Sequence, residues 1–350
     1  MRLKFSAAAL LPLAAGCISA GPSAPSVHAA GETAPVNSAG DAADDPAVWV
    51  NVGDTAESLI LGTDKRAGLY VYDLKGAVVQ FLPAGKLNNV DLRQNVSLDG
   101  WTGDIAAASN RTDNTVTLFT IEEDGAVAES GAFPSLLDEP YGLCLGAQGG
   151  DVFAFVAYKT GDLIAYRLAG PGGGAEAARM KLESQLEGCV FDDEAGVLYI
   201  GEEETGVWKA AFDGGGFSAL SFIDEVGGAS GVAADVEGLA LYKTGPGTGY
   251  LIASSQGNNS YAVYTREGDN AFVTRFAVTP GETIDGSEET DGVEAVSADL
   301  GPDFPEGVFI AQDGFNDPKG SAQNFKIVDW REIGTLIETA ESGLEAGAAN

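Results

Sequence analysis

The 350-residue chain carries 52 acidic against 19 basic residues, a formal charge of −33, which excludes unaided binding of nucleic-acid phosphates and points to solvation or to multivalent cations. Its 45% hydrophobic content, 48 glycines and 9% aromatics exclude a disordered chain and fit a turn-rich globular β protein. The length suits two or three ordinary domains unless a repeat makes it one large ring.

Arg2 and Lys4 precede a short apolar run from Phe5 to Ala15. That run cannot span a bilayer, so residues 1–20 read as a removable export signal. Two processing sites compete. Ala14-Ala15-Gly16-Cys17 resembles a lipoprotein site that would place a lipid on Cys17, and it is the preferred reading; Val27-His28-Ala29 offers a conventional cleavage site. The protein is expected to be exported, whether periplasmic, secreted or lipid-anchored at the cell envelope, and to have no transmembrane helix. Residues 21–43, rich in Ala, Ser, Pro and Gly, read as a flexible tether.

From Asp44 onward one pattern recurs: an apolar strand with a polar head, a turn, a second apolar strand with a polar tail, and an alternating third strand. The third strands start at Gly68, Asn114, Gly161, Thr205, Asn259 and Asn324. The second strands end at Lys65, Arg111, Lys159, Glu203, Gln256 and Asp313, and the first begin near Asp45, Asp91, Tyr141, Glu187, Glu237 and Glu294. Stretches such as AVVQFL from Ala77 and SALSFI from Ser218 supply fourth strands. This predicts an all-β, six-bladed β-propeller in a single domain over 44–342, with a tail at 343–350; no strand that closes the ring is evident. Cys144 and Cys189 could pair in an exported protein, but two buried free thiols are the favoured reading.

In an antiparallel hairpin the start of one strand and the finish of the next share an edge. Every first-strand head and second-strand tail therefore faces one end of the central channel. The only histidine is His28, near the N-terminus, so a Ser-His-Asp set, an HExxH zinc site and histidine-based phosphatase chemistry are excluded. No P-loop is present. The channel end instead gathers Asp44, Asp45, Glu187, Glu202, Glu203, Asp235, Glu237, Asp291 and Asp313. An all-oxygen set of this kind suits hard cations such as Ca2+. Lys65, Arg66, Arg111 and Lys159, with Tyr141 beside them, form a basic half-ring able to clamp an anion.

Several stretches resemble the β-propeller phytases, calcium-dependent phosphatases acting on inositol hexakisphosphate: DDPAVWVN (44–51), LNNVDLR (87–93), AASNR (107–111), SQLEGCVFDDEAGVLYIGEEE (184–204), DVEGLALY (235–242), YLIASSQGNNSYAVY (250–264), DGSEETDGVEA (285–295), GVFIAQDG (307–314) and QNFKIVDW (323–330). The resemblance implies phosphate binding and catalysis by Lys65, Arg111, Tyr141 and Lys159, and calcium held by Glu187, Glu203, Asp235, Glu237 and Asp291. Asp44, Asp45, Asn89, Asp91 and Asp313 are further calcium-site or supporting positions. Asp64-Lys65-Arg66 stands where the family commonly has Asn-Lys-Lys, so Arg66 keeps the charge without the compact ammonium. The expected reaction on phytate, or its calcium salt, is direct attack of a water activated by several calcium ions, with Glu187 orienting that water. A calcium-dependent propeller esterase or lactonase, or a non-catalytic surface-binding propeller, are the alternatives; a monomer is the default state.

Overall fold

The computed structural model describes residues 24–318 and 320–348, so the expected export signal and Cys17 lie outside the described residues. The described chain folds into six sheets, antiparallel but for one added N-terminal strand, arranged as the blades of a propeller and followed by one helix. Blade 1 comprises Ala43–Trp49, Leu59–Asp64, Gly68–Asp73 and Val78–Leu82; blade 2, Leu87–Leu98, Trp101–Asn110, Thr115–Ile121 and Val127–Pro134. Blade 3 comprises Pro140–Gln148, Asp151–Tyr158, Asp162–Leu168 and Gly174–Lys181; blade 4, Leu186–Asp192, Val197–Glu202, Gly206–Ala211 and Ser221–Glu225. Blade 5 comprises Val236–Gly245, Thr248–Ser255, Ser260–Thr265 and Phe272–Val278, and blade 6 contributes Val293–Val296, Val308–Asp313 and Asn324–Asp329.

Each inner strand is apolar on both faces because both faces pack. Side chains alternate along a strand, so one set of residues fills the junction with the preceding blade and the other set the junction with the next. In blade 4, Leu198 and Ile200 pack against Phe153 and Phe155 of blade 3, while Tyr199 and Val207 pack with Leu239 and Leu251 of blade 5. Six such clusters fill the six junctions. The helix Trp330–Ala348 continues past the expected boundary at 342; Trp330, Ile333 and Ile337 form its buried stripe against blades 5 and 6, with Trp330 stacked on Tyr242.

Two sequence expectations are corrected. Residues 24–43 are not a tether. Gly31–Glu32 is the outermost strand of blade 6, antiparallel to Asn324–Asp329, and Ser26–Val27 runs parallel to Phe272–Val278 as a fifth strand of blade 5. The segment has too few apolar residues for a core of its own, but it borrows two: Val27 and Val36 are each 1% exposed, in the clusters on either side of blade 6. Backbone bonds from Ala30 to Ile327 (2.8 Å) and from Thr33 to Phe325 (2.9 Å) hold it in place, and the buried Lys326 ammonium, 2.6 Å from Glu32 Oε2, fastens it further. The N-terminal segment therefore closes the ring. The second correction is Cys144 and Cys189, which form a disulfide with Cα atoms 5.7 Å apart instead of standing as free thiols.

A chain begun at Asp44 lacks both N-terminal strands. Burial of Val27 and Val36 alone contributes on the order of 3–6 kcal/mol, so urea denaturation of that truncated chain is expected to show a much lower midpoint than the chain begun at residue 24. Equal midpoints would show that the ring closes without the segment.

Candidate metal and phosphate site

The site is built by one defect repeated around the ring. In blades 1 to 5 the first strand breaks register near its head, between Ala43 and Pro46, Leu87 and Val90, Pro140 and Leu143, Leu186 and Cys189, and Val236 and Leu239. Each break leaves two residues out of the ladder: Asp44-Asp45, Asn88-Asn89, Tyr141-Gly142, Glu187-Gly188 and Glu237-Gly238. Asp291-Gly292 takes the same place ahead of Val293 in blade 6. A bulge re-aims the side chains it frees. Here it brings Asp44, Asn88, Tyr141, Glu187, Glu237 and Asp291, one from each blade, to the channel mouth. The glycines are required by close approach: a Cβ on Gly142 would lie 1.8 Å from the carbonyl oxygen of Glu187, and one on Gly188 2.0 Å from that of Glu237.

The residues that follow the second strands face this inner ring. Lys65 Nζ lies 2.8 Å from Asp44 Oδ1, 2.8 Å from Asp291 Oδ2 and 2.7 Å from Asp41 Oδ1. Lys159 Nζ sits 4.2 Å above the Tyr141 ring and the Arg111 guanidinium 5.9 Å from its centre. Beside Tyr141, one carboxylate oxygen each from Glu187, Glu203 and Glu237 lie within 4.8 Å of one another, and all three side chains are buried. A cavity of about 500 Å³ opens over the site, lined by Lys65, Tyr141, Glu203, Asp235, Glu237 and Asp291 among others. Several polar atoms here are buried without a hydrogen-bond partner: Asp44 Oδ2, Glu237 Oε2, Asn88 Oδ1 and Arg111 Nε. Orphaned oxygens and an orphaned guanidinium nitrogen around one channel mouth mark a site suited to bound ions of both signs.

Burial and mutual repulsion raise the carboxyl pKa values. Burial is the larger cause for Glu187 and Glu237, with Asp44 adding to the first and Glu187 to the second. Burial and then the neighbouring Glu187 push Glu203 up to about 7. Burial opposes the charge on Lys65, but Asp44 and Asp291 outweigh it and hold the ammonium well above its usual range. Burial, with Glu187 beside the ring, keeps the Tyr141 hydroxyl protonated far past the usual phenol range.

The structure distributes the sequence-predicted residues over four places. Lys65, Arg111, Tyr141, Lys159, Asp44, Glu187, Glu203, Asp235, Glu237 and Asp291 are at the mouth. Asp45, Asn89 and Asp91 lie on a second cavity of about 350 Å³ deeper in the channel, with Arg93 and Glu294; there Asp45 Oδ2 accepts from Val90 N at 3.0 Å and Asp91 Oδ2 from Leu145 N at 2.8 Å. Asp313 belongs to the ring closure, 3.2 Å from Lys326 Nζ. Arg66 points to solvent, its Nε donating to Asp41 O at 2.9 Å. Sequence reasoning missed Asn88, whose Nδ2 donates to Glu187 Oε1 at 2.9 Å. It also missed Gln256, whose Nε2 donates to Asp291 Oδ1 at 2.7 Å, and Gln185, whose Nε2 donates to Glu203 Oε1 at 2.5 Å. Alignment of the repeat heads on Asp44, Glu187 and Glu237 would have found Asn88.

A family model described as Phytase matches residues 1–342. The chain is 44% identical over 317 residues to a 3-phytase of Bacillus subtilis (strain 168), covering 86% of this chain and 83% of that protein. It is also similar to a functionally unknown protein from Desulfotomaculum acetoxidans (19% identity, 65% of this chain and 70% of that one, TM-score 0.47). A further similar structure is the Myceliophteria thermophila Cps50 (Swd1) β-propeller domain (14% identity, 82% and 83%, TM-score 0.48).

A folded-state pKa of about 7 for Glu203, against roughly 4.3 for a free glutamate, means that the folded chain holds this proton more tightly than the unfolded one. The stability it contributes is complete below about pH 4 and is lost as pH rises through 7; the raised Glu187 and Glu237 act in the same direction. Chelator-treated protein is therefore expected to melt at a lower temperature at pH 8 than at pH 5.5, a loss on the order of 1–3 kcal/mol. Melting curves at both pH values check this, and a level or rising Tm would contradict it.

Proposed function

Since the chain belongs to the Phytase family, we infer that it is a phosphoric monoester hydrolase that releases phosphate from phytate, and we propose that it does so with calcium held at the channel mouth. The observation that carries the calcium reading is the buried trio Glu187, Glu203 and Glu237, with ligand oxygens within 4.8 Å of one another. The donor set fits the ion, since these carboxylates, Asp44, Asp291 and the unpartnered Asn88 Oδ1 are all hard oxygens and neither histidine nor thiolate is among them. When bound, calcium would neutralise phosphate charge and lower the pKa of a coordinated water.

The chain's own residues do the rest. Lys65, Arg111 and Lys159 supply positive charge along three successive blades, and Arg111 Nε, buried without a partner, is placed to take a phosphate oxygen. Tyr141 keeps its proton and so can donate a hydrogen bond to the same anion as charge builds on it. Lys65 is shared with Asp41, Asp44 and Asp291, which keeps it charged and fixed in place before substrate arrives. Asn88 fixes one oxygen of Glu187, and Tyr141 and Glu237 hydrogen-bond to the same carboxylate, so Glu187 is held in place at the mouth.

Export is part of the proposal, with processing ahead of residue 24. Cleavage after Ala29 would remove Ser26–Val27, which pairs with blade 5, and a disulfide suits an oxidising compartment. Among the described residues no helix is long and apolar enough to cross a membrane.

Phosphate release from phytate by the purified chain begun at residue 24, titrated with calcium and then with chelator, tests the function, with circular dichroism recorded in parallel. Release is expected to rise with calcium and to stop on chelation while the β signal persists. Glu187→Gln and Lys65→Met are each expected to lower kcat by about 10²–10³ without loss of fold. A folded protein that releases no phosphate at any calcium level would reject the assignment, and a fully active Glu187→Gln would remove that residue from it.

A further inference from the structure

Cys144 stands three residues past Tyr141 on the innermost strand of blade 3, and Cys189 two residues past Glu187 on that of blade 4. Ladder pairing resumes at Leu143 and Cys189, directly after the bulges that release Tyr141 and Glu187. The bridge thus joins the two strands where their positions are fixed again, one residue past that point in blade 3 and at that point in blade 4.

The other junctions between blades are tied near the mouth by hydrogen bonds. Gly238 N donates to Asp291 O at 2.6 Å between blades 5 and 6, Gly292 N to Asp44 O at 3.0 Å between 6 and 1, and Val236 N to Glu203 O at 3.0 Å between 4 and 5. Between blades 1 and 2 the acceptor is the Asp45 side chain, and between 2 and 3 it is that of Asp91. At the junction of blades 3 and 4 the residue after the bulge head is Gly142, which has no side chain to offer. A hydrogen bond from Ala147 N to Asp193 Oδ1, 2.9 Å, ties these two strands farther along. The Tyr141 hydroxyl and the Glu187 carboxylate hydrogen-bond to each other across this junction, and the disulfide is the covalent link between the two strands that carry them.

We propose that the Cys144–Cys189 bridge is a positioning element of the active site, a covalent tie that sets the spacing between the phosphate-facing Tyr141 and the metal-facing Glu187. Packing of Phe155 on Phe191, ring centres 5.0 Å apart, holds the two blades together without it, but bulged residues have no ladder partners to define their place. The oxidised protein is then the fully competent one. Exchange with a dithiol such as dithiothreitol leaves Cys144 and Cys189 as two thiols and the reagent as its cyclic disulfide, a transfer of two electrons and two protons. The inference rests on the roles given above to Tyr141 and Glu187.

The test compares wild type with Cys144→Ala/Cys189→Ala, well below both melting temperatures, for kcat and KM on phytate and for calcium affinity by titration calorimetry. The expected result is a KM raised about 10-fold, on the scale by which small misplacements cost activity, with calcium bound more weakly and a smaller change in kcat. A lower Tm with KM and calcium affinity unchanged would show a structural staple only and overturn the proposal. Should the double variant not fold, folded wild type reduced with dithiothreitol, its two thiols counted by alkylation, is assayed in its place, and reoxidation is expected to restore KM. Tyr141→Phe and Glu187→Gln separate the two levels: if these leave activity intact, the site reading fails, whereas if they abolish it and bridge loss changes nothing, only the present inference fails.

Discussion

Everything at the channel mouth depends on how closely the six innermost strands approach one another. A regular ladder would send alternate side chains into the two neighbouring blades and leave none for the axis. The two-residue break at the strand heads of blades 1 to 5, with Asp291 just ahead of blade 6, releases one side chain per blade, and it works only where the next blade's backbone can slide in beside it. That explains the pairing of a functional residue with glycine in Tyr141-Gly142, Glu187-Gly188, Glu237-Gly238 and Asp291-Gly292. Where glycine is absent, as at Asp45 and Asn89, the second residue turns into the deeper cavity, and Asp45 accepts a backbone hydrogen bond there.

The same convergence creates an electrostatic load. Glu187, Glu203 and Glu237 share a buried pocket, and their raised pKa values express the cost of charging them together. Lys65 relieves one side of the cluster by contacting Asp44 and Asp291, and its charge reaches Glu187 without forming an ion pair with the trio. Two terms therefore stay open: a carboxylate cluster that Lys65 and Lys159 offset only in part, and Arg111 with a buried nitrogen lacking an acceptor. A divalent cation and a phosphate would close both at once, each being the counter-ion the other needs in so acidic a protein.

Much of this was legible because the repeat is written in residue types that physics constrains. Alternating third strands and polar strand ends reveal six blades, and the scarcity of Lys and Arg makes Lys65, Arg111 and Lys159 conspicuous. Neutral residues carry no such mark. Asn88 was passed over for Asp91 because a charged residue three positions on seemed the natural head of blade 2, and Gln256 was seen as a strand end but not as a partner of Asp291. The disulfide was not legible either, because two cysteines 45 positions apart say nothing of proximity until the bulges are placed. The ring-closing strands failed for a different reason: Ser26–Val27 and Gly31–Glu32 are two residues each, and their stability comes wholly from partners about 250 to 300 positions away.

That closure is not remote from the chemistry. Lys326, fully buried, gathers Glu32 from the closing strand, Asp285 and Asn316 from two loops, and Asp313 from the tail of blade 6's second strand. The residue before Asp313, Gln312, accepts from Asp291 N at 2.9 Å and donates to Ala43 O at 3.2 Å, joining blade 6 to blade 1 beneath Lys65. The N-terminal segment therefore fastens the blade whose head supplies Asp291, and through Asp291 it bears on Lys65. A propeller closed by hydrogen bonds between its first and last segments can loosen there before anywhere else, and in this chain that seam runs past the carboxylates that hold Lys65 in place.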